Sequence, residues 1–188
     1  QGLTEALRSE SPCQELALRN GLCFAPRLKH QKLTPSPSPN PIHFQSPATY
    51  LVTGGFGGLG SEVLPRLHRI GLDHLTVLGR RPADDPYVVE RLAALSRLGA
   101  KILYQSVDVS DLQALRACMN SVITIHELTI KGIVHAAGMT GVESAKDMDW
   151  TTFDSALHAK GDGAWHLHTL SQELSLPLDN FILFSSIA

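Results

Sequence analysis

The sequence predicts an α/β fold: a parallel sheet covered by helices on both faces, preceded by a short β segment. Two observations predict it. From Thr49 onward, apolar runs of strand length alternate with stretches whose apolar residues recur at helical spacing, and that alternation implies parallel strands joined by covering helices. The first of these runs, Tyr50-Leu51-Val52, leads into a glycine cluster that opens a helical pattern.

The elements follow in chain order. Glu15-Leu16-Ala17-Leu18-Arg19-Asn20-Gly21 alternates and then meets a turn signal, as a strand entering a hairpin does, and Phe24-Ala25-Pro26-Arg27-Leu28 is the expected second strand. Residues 1–34 are too few to hold a core alone and are expected to pack on something else. Residues 35–47 begin Pro35-Ser36-Pro37-Ser38-Pro39-Asn40-Pro41; alternating prolines remove backbone donors and favour extended chain, so the stretch is read as a linker. Residues 48–188 then carry the α/β unit. Its first helix puts Val63, Leu64, Leu67 and Ile70 on one face and closes at Gly71. His74-Leu75-Thr76-Val77-Leu78 is the second strand, and Val88, Leu92, Leu95 and Leu98 mark a helix closed by Gly99. The third strand runs over residues 101–107, after which Ser110 with Gln113 forms a capping-box pattern. Ile133-Val134-His135-Ala136-Ala137 is the fourth strand, a long helix covers residues 151–174, and residues 180–185 are the fifth strand.

Chemistry concentrates at the C-terminal ends of these strands, where open α/β sheets bind ligands. In Thr53-Gly54-Gly55-Phe56-Gly57-Gly58-Leu59-Gly60, residues Gly55, Gly57 and Gly60 have GxGxxG spacing, after a strand and before a helix. Glycines there allow a tight turn and let a pyrophosphate approach the free N–H groups of the helix start, which predicts a Rossmann-type dinucleotide site. Where an acidic residue would hold the ribose hydroxyls of NAD, this chain has Gly79-Arg80-Arg81, a guanidinium pair suited to the 2′-phosphate of NADP. Asp108, ending the third strand in Val107-Asp108-Val109, reaches an adenine amino group or caps the next helix; Ser110 is the better cap. On the long helix Phe153, Leu157, Lys160, Ala164, Leu167 and Ser171 fall on one stripe, which directs Lys160 at the sheet among apolar residues. A lysine there either has a chemical role or snorkels out, and the spacing leaves both open. Gly161 and Gly163 follow it, each costing about 1 kcal/mol of helix stability relative to alanine, which fits a close approach of the helix to something. Ser185-Ser186 ends the fifth strand, either as a hydroxyl at the mouth of the crevice or as ordinary strand-end serines.

Bulk properties narrow the function classes. A 43% hydrophobic, 18% charged chain of 188 residues is an ordinary globular sequence. Its net charge of -2 gives no basic surface for a nucleic acid. No apolar run approaches the roughly 20 residues of a membrane span. The N-terminus has neither an initiator methionine nor a signal-peptide pattern, so the chain is read as an internal fragment, and as part of a cytoplasmic protein. Cys13, Cys23 and Cys118 form no CxxC pair, and the nine histidines show no metal-ligand spacing, so neither a disulfide framework nor a metal site is expected. There is no GxSxG elbow, which disfavours a hydrolase.

Taken together, the glycine motif, Leu78-Gly79-Arg80-Arg81, Asp108-Val109-Ser110-Asp111, His135-Ala136-Ala137-Gly138, Lys160 with Gly163-Ala164-Trp165-His166-Leu167, and Phe184-Ser185-Ser186 occur in an order that resembles the ketoreductase domain of type I polyketide synthases. That family belongs to the short-chain dehydrogenases/reductases and is close kin of animal fatty acid synthase. Glu15 to Gly21 with Pro26-Arg27-Leu28 is similar to the last strands of the structural subdomain that precedes the catalytic one. The resemblance implies NADPH-dependent reduction of the β-keto group of an acyl chain held on an acyl carrier protein, with neighbouring synthase domains as partners. It implies Lys160 and Ser186 as catalytic residues, and Thr53, Gly55, Phe56, Gly57, Gly58, Leu59, Gly60, Arg80, Arg81, Asp108, Val109, His135, Ala136, Ala137 and Gly138 around the cofactor. The general acid of the family is a tyrosine about a dozen residues after Ser186; none of Tyr50, Tyr87 or Tyr104 begins a tyrosine-x-x-x-lysine or tyrosine-x-x-x-asparagine pattern, so the fragment itself is expected to be inactive. Many members carry Leu-Asp-Asp where this chain has Met139-Thr140-Gly141-Val142-Glu143-Ser144, which leaves the alcohol configuration open. Two other readings compete: a non-catalytic scaffold domain of a megasynthase, and a nucleotide-sugar epimerase or dehydratase, against which the position of Lys160 and the N-terminal strand pair argue.

Overall fold

The computed structural model describes residues 16–27, 29–30, 48–138, 144 and 146–185. The linker read at residues 35–47, the segment Met139 to Glu143, and Ser186 therefore lie outside the described residues. The chain divides into two units, Gln1–Pro41 and Ile42–Ala188.

The first unit holds a hairpin of β1 (Ala17–Arg19) and β2 (Leu22–Phe24). Asn20 and Gly21 both have positive φ, 51° and 77°, the backbone of the two-residue turn whose twist matches antiparallel strands. That turn is shorter than the sequence reading assumed. Pairing Ala17 with Phe24 and Arg19 with Leu22 brings the second strand forward to Leu22–Phe24 instead of beginning at Phe24.

The second unit is a parallel sheet of five strands, which lie side by side in the order third, second, first, fourth, fifth of their sequence in this unit. It comprises β3 (Ala48–Thr53), α1 (Gly58–Arg69), β4 (His74–Gly79), α2 (Pro86–Arg97), β5 (Lys101–Ser106), α3 (Leu112–Thr124), β6 (Thr129–His135), α4 (Trp150–Leu157), α5 (Gly163–Glu173) and β7 (Asn180–Leu183). Strand β3 is buried from Thr49 to Thr53 because both its faces are covered. Leu51 joins a core with Met119, Val122, Ile133, Leu167 and Leu170, while Tyr50 and Val52 join Leu64, Leu75, Val77 and Val134 on the opposite face. The chain order reverses at β3, with β4 on one side and β6 on the other. This opens a crevice at their C-terminal ends, the place where such sheets bind ligands.

Several local expectations are corrected. The third and fifth strands stop early, at Ser106 and Leu183. Ile70 and Leu98 sit at helix ends beyond the packed turns and are exposed, leaving Leu64 and Leu95 to face the core. Ser110 does not cap α3. Asp111 does, accepting from Gln113 N and Ala114 N at 3.0 Å each, because Ser110 is turned back onto Asp108. The long helix is not a single α-helix: between α4 and α5, His158–Asp162 form one wide π turn. One extra residue per turn rotates the stripe. No residue of α4 or of the π turn is buried, so Phe153, Leu157 and Lys160 are exposed, and the buried positions are Gly163, Leu167, Leu170 and Ser171 of α5.

Candidate active site

The turn after β3 is built by glycine at positions no other residue fills. Gly54 has φ +63°, and its N–H donates to the Leu78 carbonyl at 2.9 Å. A Cβ on Gly54 would lie 2.6 Å from Ala137 Cα, so the glycine lets the ends of β3 and β6 meet. A Cβ on Gly60 would run into the Gly54 carbonyl and come within 2.5 Å of Gly55 Cα. Gly55 faces inward on Val77 and Leu64, whereas Gly58 has open space around it and Leu59 is exposed. Helices α2, α3 and α4 begin with Asp85, Asp111 and Asp149 capping their N–H groups. Helix α1 begins at Gly57 with no side-chain cap and no acidic residue in its first turn. Its free N–H groups and positive dipole end are thus open to an anion, which fits a pyrophosphate.

Beside this turn, Arg81 pairs with Asp85 at 3.1 Å and lies 5.3 Å from the centre of the Tyr87 ring. Tyr104 stacks on Phe56 with ring centres 5.4 Å apart and donates its hydroxyl hydrogen to the Arg81 carbonyl at 2.8 Å. Tyr87 likewise donates to the Phe56 carbonyl at 2.8 Å. Burial would raise the Asp85 carboxyl, but the Arg81 side chain and the Tyr87 backbone N–H outweigh it and hold the group below its usual range. Arg80 and Arg81, adjacent in sequence, are therefore not equivalent. Arg81 is engaged by this aromatic and acidic cluster, while Arg80 lines both the pocket at the cluster and the main cleft.

That cleft has a volume of about 270 Å³ and brings together Gly54, Arg80, Asp108, Val109, Ala137 and Gly138 from the ends of four strands. Its far wall is Ser155, His158 and Ala159 of the long helix. Asp108 Oδ1 accepts from the backbone N–H of Ser110 at 2.9 Å and from its hydroxyl at 2.7 Å. Burial pushes the Asp108 carboxyl up. The two Ser110 hydrogen bonds and the positive charges of Arg80 and His158 overcome this and keep it lowered, so the group is an anion with acceptor capacity left. His158 is held between Asp162 and Asp154, the latter at 2.9 Å; the Asp162 hydrogen bond and the Asp154 charge raise its pKa. Sequence reading missed Ser155 and His158. The Asp154, His158, Asp162 spacing of four residues is the signal that marks one helix face.

Across the crevice, Thr53 Oγ1 accepts the Ala137 N–H at 3.2 Å and lies 2.7 Å from His135 Nδ1. Ala136 N–H donates to the Thr53 carbonyl at 3.1 Å. Thr53, His135, Ala136 and Ala137 thus lock β3 to β6 just below the cleft. Lys160 is exposed, and its side chain runs over Gly138: a Cβ on Gly138 would lie 2.7 Å from Lys160 Cε. The stripe argument had placed Lys160 among apolar side chains; the π turn carries it to the crevice edge instead. Gly163 does provide the close approach expected of the glycine pair, since a Cβ there would meet Val109 at 2.7 Å and His135 at 3.2 Å. Gly161 is exposed and would touch only Leu157. Ser185 is exposed after β7. Among the described residues no group of histidines, cysteines or carboxylates could hold a metal ion, and no helix is long and apolar enough to cross a membrane. Cys118 is buried, which pushes its thiol up to about 11.

Comparison with known proteins completes the site. The family model described as "KR domain" matches residues 48–188. The chain is 36% identical over 175 residues to the polyketide synthase GfsA of Streptomyces halstedii, covering 93% of this chain and 2% of that protein. It is 34% identical to the erythronolide synthase EryA3 of Saccharopolyspora erythraea, covering 86% of this chain and 5% of the relative. Among solved structures, one described as A-type ketoreductases from a modular polyketide synthase superposes with a TM-score of 0.76 at 33% identity, over 98% of this chain and 38% of that one. The chain thus spans a small part of each curated relative's length. The five-stranded parallel sheet, its glycine turn and these matches agree: this chain belongs to the KR-domain family, the ketoreductase domains of polyketide synthases within the short-chain dehydrogenase/reductase superfamily.

Proposed function

We propose that this chain is the cofactor-binding part of an NADPH-dependent β-ketoacyl reductase whose substrate is an acyl chain carried on an acyl carrier protein. The observation that carries the reading is the single cleft lined by the glycine turn, Arg80, Asp108 and Gly138, with Lys160 laid across Gly138 at its edge. When bound, the nicotinamide cofactor supplies the hydride that reduces the ketone. The uncapped start of α1 binds its pyrophosphate and Arg80 its 2′-phosphate, while Asp108 accepts from the adenine amino group. Lys160 holds the ribose and lowers the pKa of the general acid, and Ser186 hydrogen-bonds the carbonyl oxygen as charge builds there.

The general acid is a tyrosine that this chain does not provide. Tyr50 is 2% exposed, and the hydroxyls of Tyr87 and Tyr104 are spent on backbone carbonyls at the glycine turn. The 188-residue chain therefore binds cofactor without turning over. Residues 1–34 are the last strands of a structural subdomain joined through the 35–47 linker to the catalytic unit. The partners are the carrier protein and neighbouring synthase domains in the cytoplasm, with neither nucleic acid nor membrane involved.

The test follows NADPH and NADH binding to the 188-residue chain, then NADPH oxidation with a β-ketoacyl thioester. Oxidation is measured on the chain alone and on the chain joined to the remainder of a ketoreductase domain. Binding of NADPH with turnover only in the longer form is expected. A well-folded longer form that binds NADPH and stays inactive favours the scaffold reading.

A further inference from the structure

His135 holds a buried polar atom that the reaction outlined above leaves unused. Its side chain is 4% exposed, and Nε2 makes no hydrogen bond. The other ring nitrogen is accounted for. Thr53 Oγ1 accepts the Ala137 N–H and lies 2.7 Å from His135 Nδ1, a position from which its hydroxyl proton can be donated to that nitrogen. A neutral imidazole that accepts at Nδ1 carries its proton on Nε2. A buried N–H without a partner costs about 1–3 kcal/mol, so its surroundings call for an acceptor.

What lies against the ring is the broken part of the long helix. A Cβ on Gly163 would come 3.2 Å from His135 Cε1, so glycine at this position lets the helix seat on the histidine. The backbone carbonyls of Ala159 and Lys160 bear on the same ring. Burial lowers the imidazole pKa and these carbonyls pull it back up. Both carbonyls belong to the π turn His158–Asp162, where the α-helical hydrogen-bond pattern is interrupted and the Gly163 N–H reaches back to His158 O. An N–H in search of an acceptor therefore faces the one stretch of helix whose backbone acceptors have been displaced. The same turn sends the Lys160 side chain over Gly138, two residues past the Ala136 that follows His135 in the chain.

We infer that His135 is a positioning residue for Lys160: its Nε2–H is offered to the carbonyls of Ala159 and Lys160 and holds the π turn that lays Lys160 across Gly138. Only the consequence for catalysis rests on the ketoreductase reading; the tautomer and the turn do not. Three measurements test it. Nitrogen NMR of the 188-residue chain is expected to show neutral His135 with its proton on Nε2, and a proton on Nδ1 overturns the inference. Amide exchange over residues 161–164 is expected to accelerate on the order of tenfold in His135→Phe and to return most of the way in His135→Gln, which keeps a donor at the far end of the side chain. Unchanged exchange in a folded His135→Phe overturns it; if that variant does not fold, the tautomer in the unmodified chain decides. In the chain joined to the remainder of a ketoreductase domain, His135→Phe is expected to lower kcat about 10- to 100-fold with KM for NADPH within about twofold, and His135→Gln to recover it. Faster exchange with kcat unchanged breaks the link to Lys160. Failure of the unmodified chain to bind NADPH instead overturns the ketoreductase reading and leaves the first two results standing.

Discussion

Replacing Gly54 with alanine separates two roles that glycines play in the turn after β3. The backbone at Gly54 has φ +63°, a left-handed conformation that costs an alanine about 1–2 kcal/mol. The added Cβ would also sit 2.6 Å from Ala137 Cα and 2.7 Å from Ala137 N. These are backbone atoms of the neighbouring strand end, so no side chain can rotate away, and relief requires the ends of β3 and β6 to part. Overpacking of that kind typically adds about 1–3 kcal/mol, for a total near 2–5 kcal/mol, a large share of the 5–15 kcal/mol that holds a domain together. Gly58→Ala is the control. Its Cβ would meet nothing within 4 Å and its backbone is helical, so it is expected to leave the fold unchanged or stabilise it by up to about 1 kcal/mol. Urea unfolding gives the stability of each variant, and NADPH titration gives its affinity. Gly54→Ala is expected to lose both; Gly58→Ala is expected to lose affinity only, if bound phosphate comes close to that backbone. A Gly54→Ala protein within 0.5 kcal/mol of the unmodified one, roughly the scatter of neutral surface substitutions, would falsify the claim that this glycine is required by the β3–β6 contact.

Three further outcomes are expected. Arg80→Ala should weaken NADPH binding while leaving NADH nearly unchanged, and Arg81→Ala should do so less because Asp85 and Tyr87 already engage that guanidinium; equal losses for the two variants in calorimetric titration would contradict the division of labour. The raised pKa of His158 means that its pairing with Asp162 and Asp154 stabilises the fold fully below the ordinary histidine value of 6.5, with that contribution lost as pH rises through the elevated folded value. Denaturant midpoints across that window should therefore fall with pH in the unmodified chain and flatten in His158→Gln. Leu167, fully buried between α5 and the sheet, should cost about 2–5 kcal/mol when cut to alanine, read by urea unfolding, and a loss under 1 kcal/mol would mean that this helix is not seated as described.

The parts legible in the sequence are those whose physics is local. Asn20-Gly21 marks its own turn because few residues other than asparagine and glycine take two successive positive φ angles at low cost. Leu51, Val52, Val77 and Ile133 mark doubly covered strands by being apolar without alternation, and GxGxxG after such a strand places the crevice at the end of β3. Order along the chain was enough to set Arg80, Asp108 and Gly138 at strand ends, and hence near one another.

What the tertiary structure decided is which of several contacts, each open to a side chain by composition and spacing, is the one made. Ser110 is a competent cap by composition, yet the lowered Asp108 carboxylate captures its hydroxyl and leaves the cap to Asp111. Arg80 and Arg81 are alike in sequence; Tyr87, Asp85 and the carbonyl-bound Tyr104 stand beside the second, and the first reaches the cleft where its charge acts on Asp108. Helical periodicity assumes 3.6 residues per turn, so one π turn at His158–Asp162 was enough to rotate Lys160 from the apolar stripe to the rim of the cleft. The sequence by itself determined the strand order along the chain, the glycine turn and the residues that could bind a dinucleotide. Which face Lys160 occupies, which arginine meets the cleft and what the buried nitrogen of His135 faces were decided only by packing, because composition and spacing allow more than one arrangement for each and the folded chain takes one.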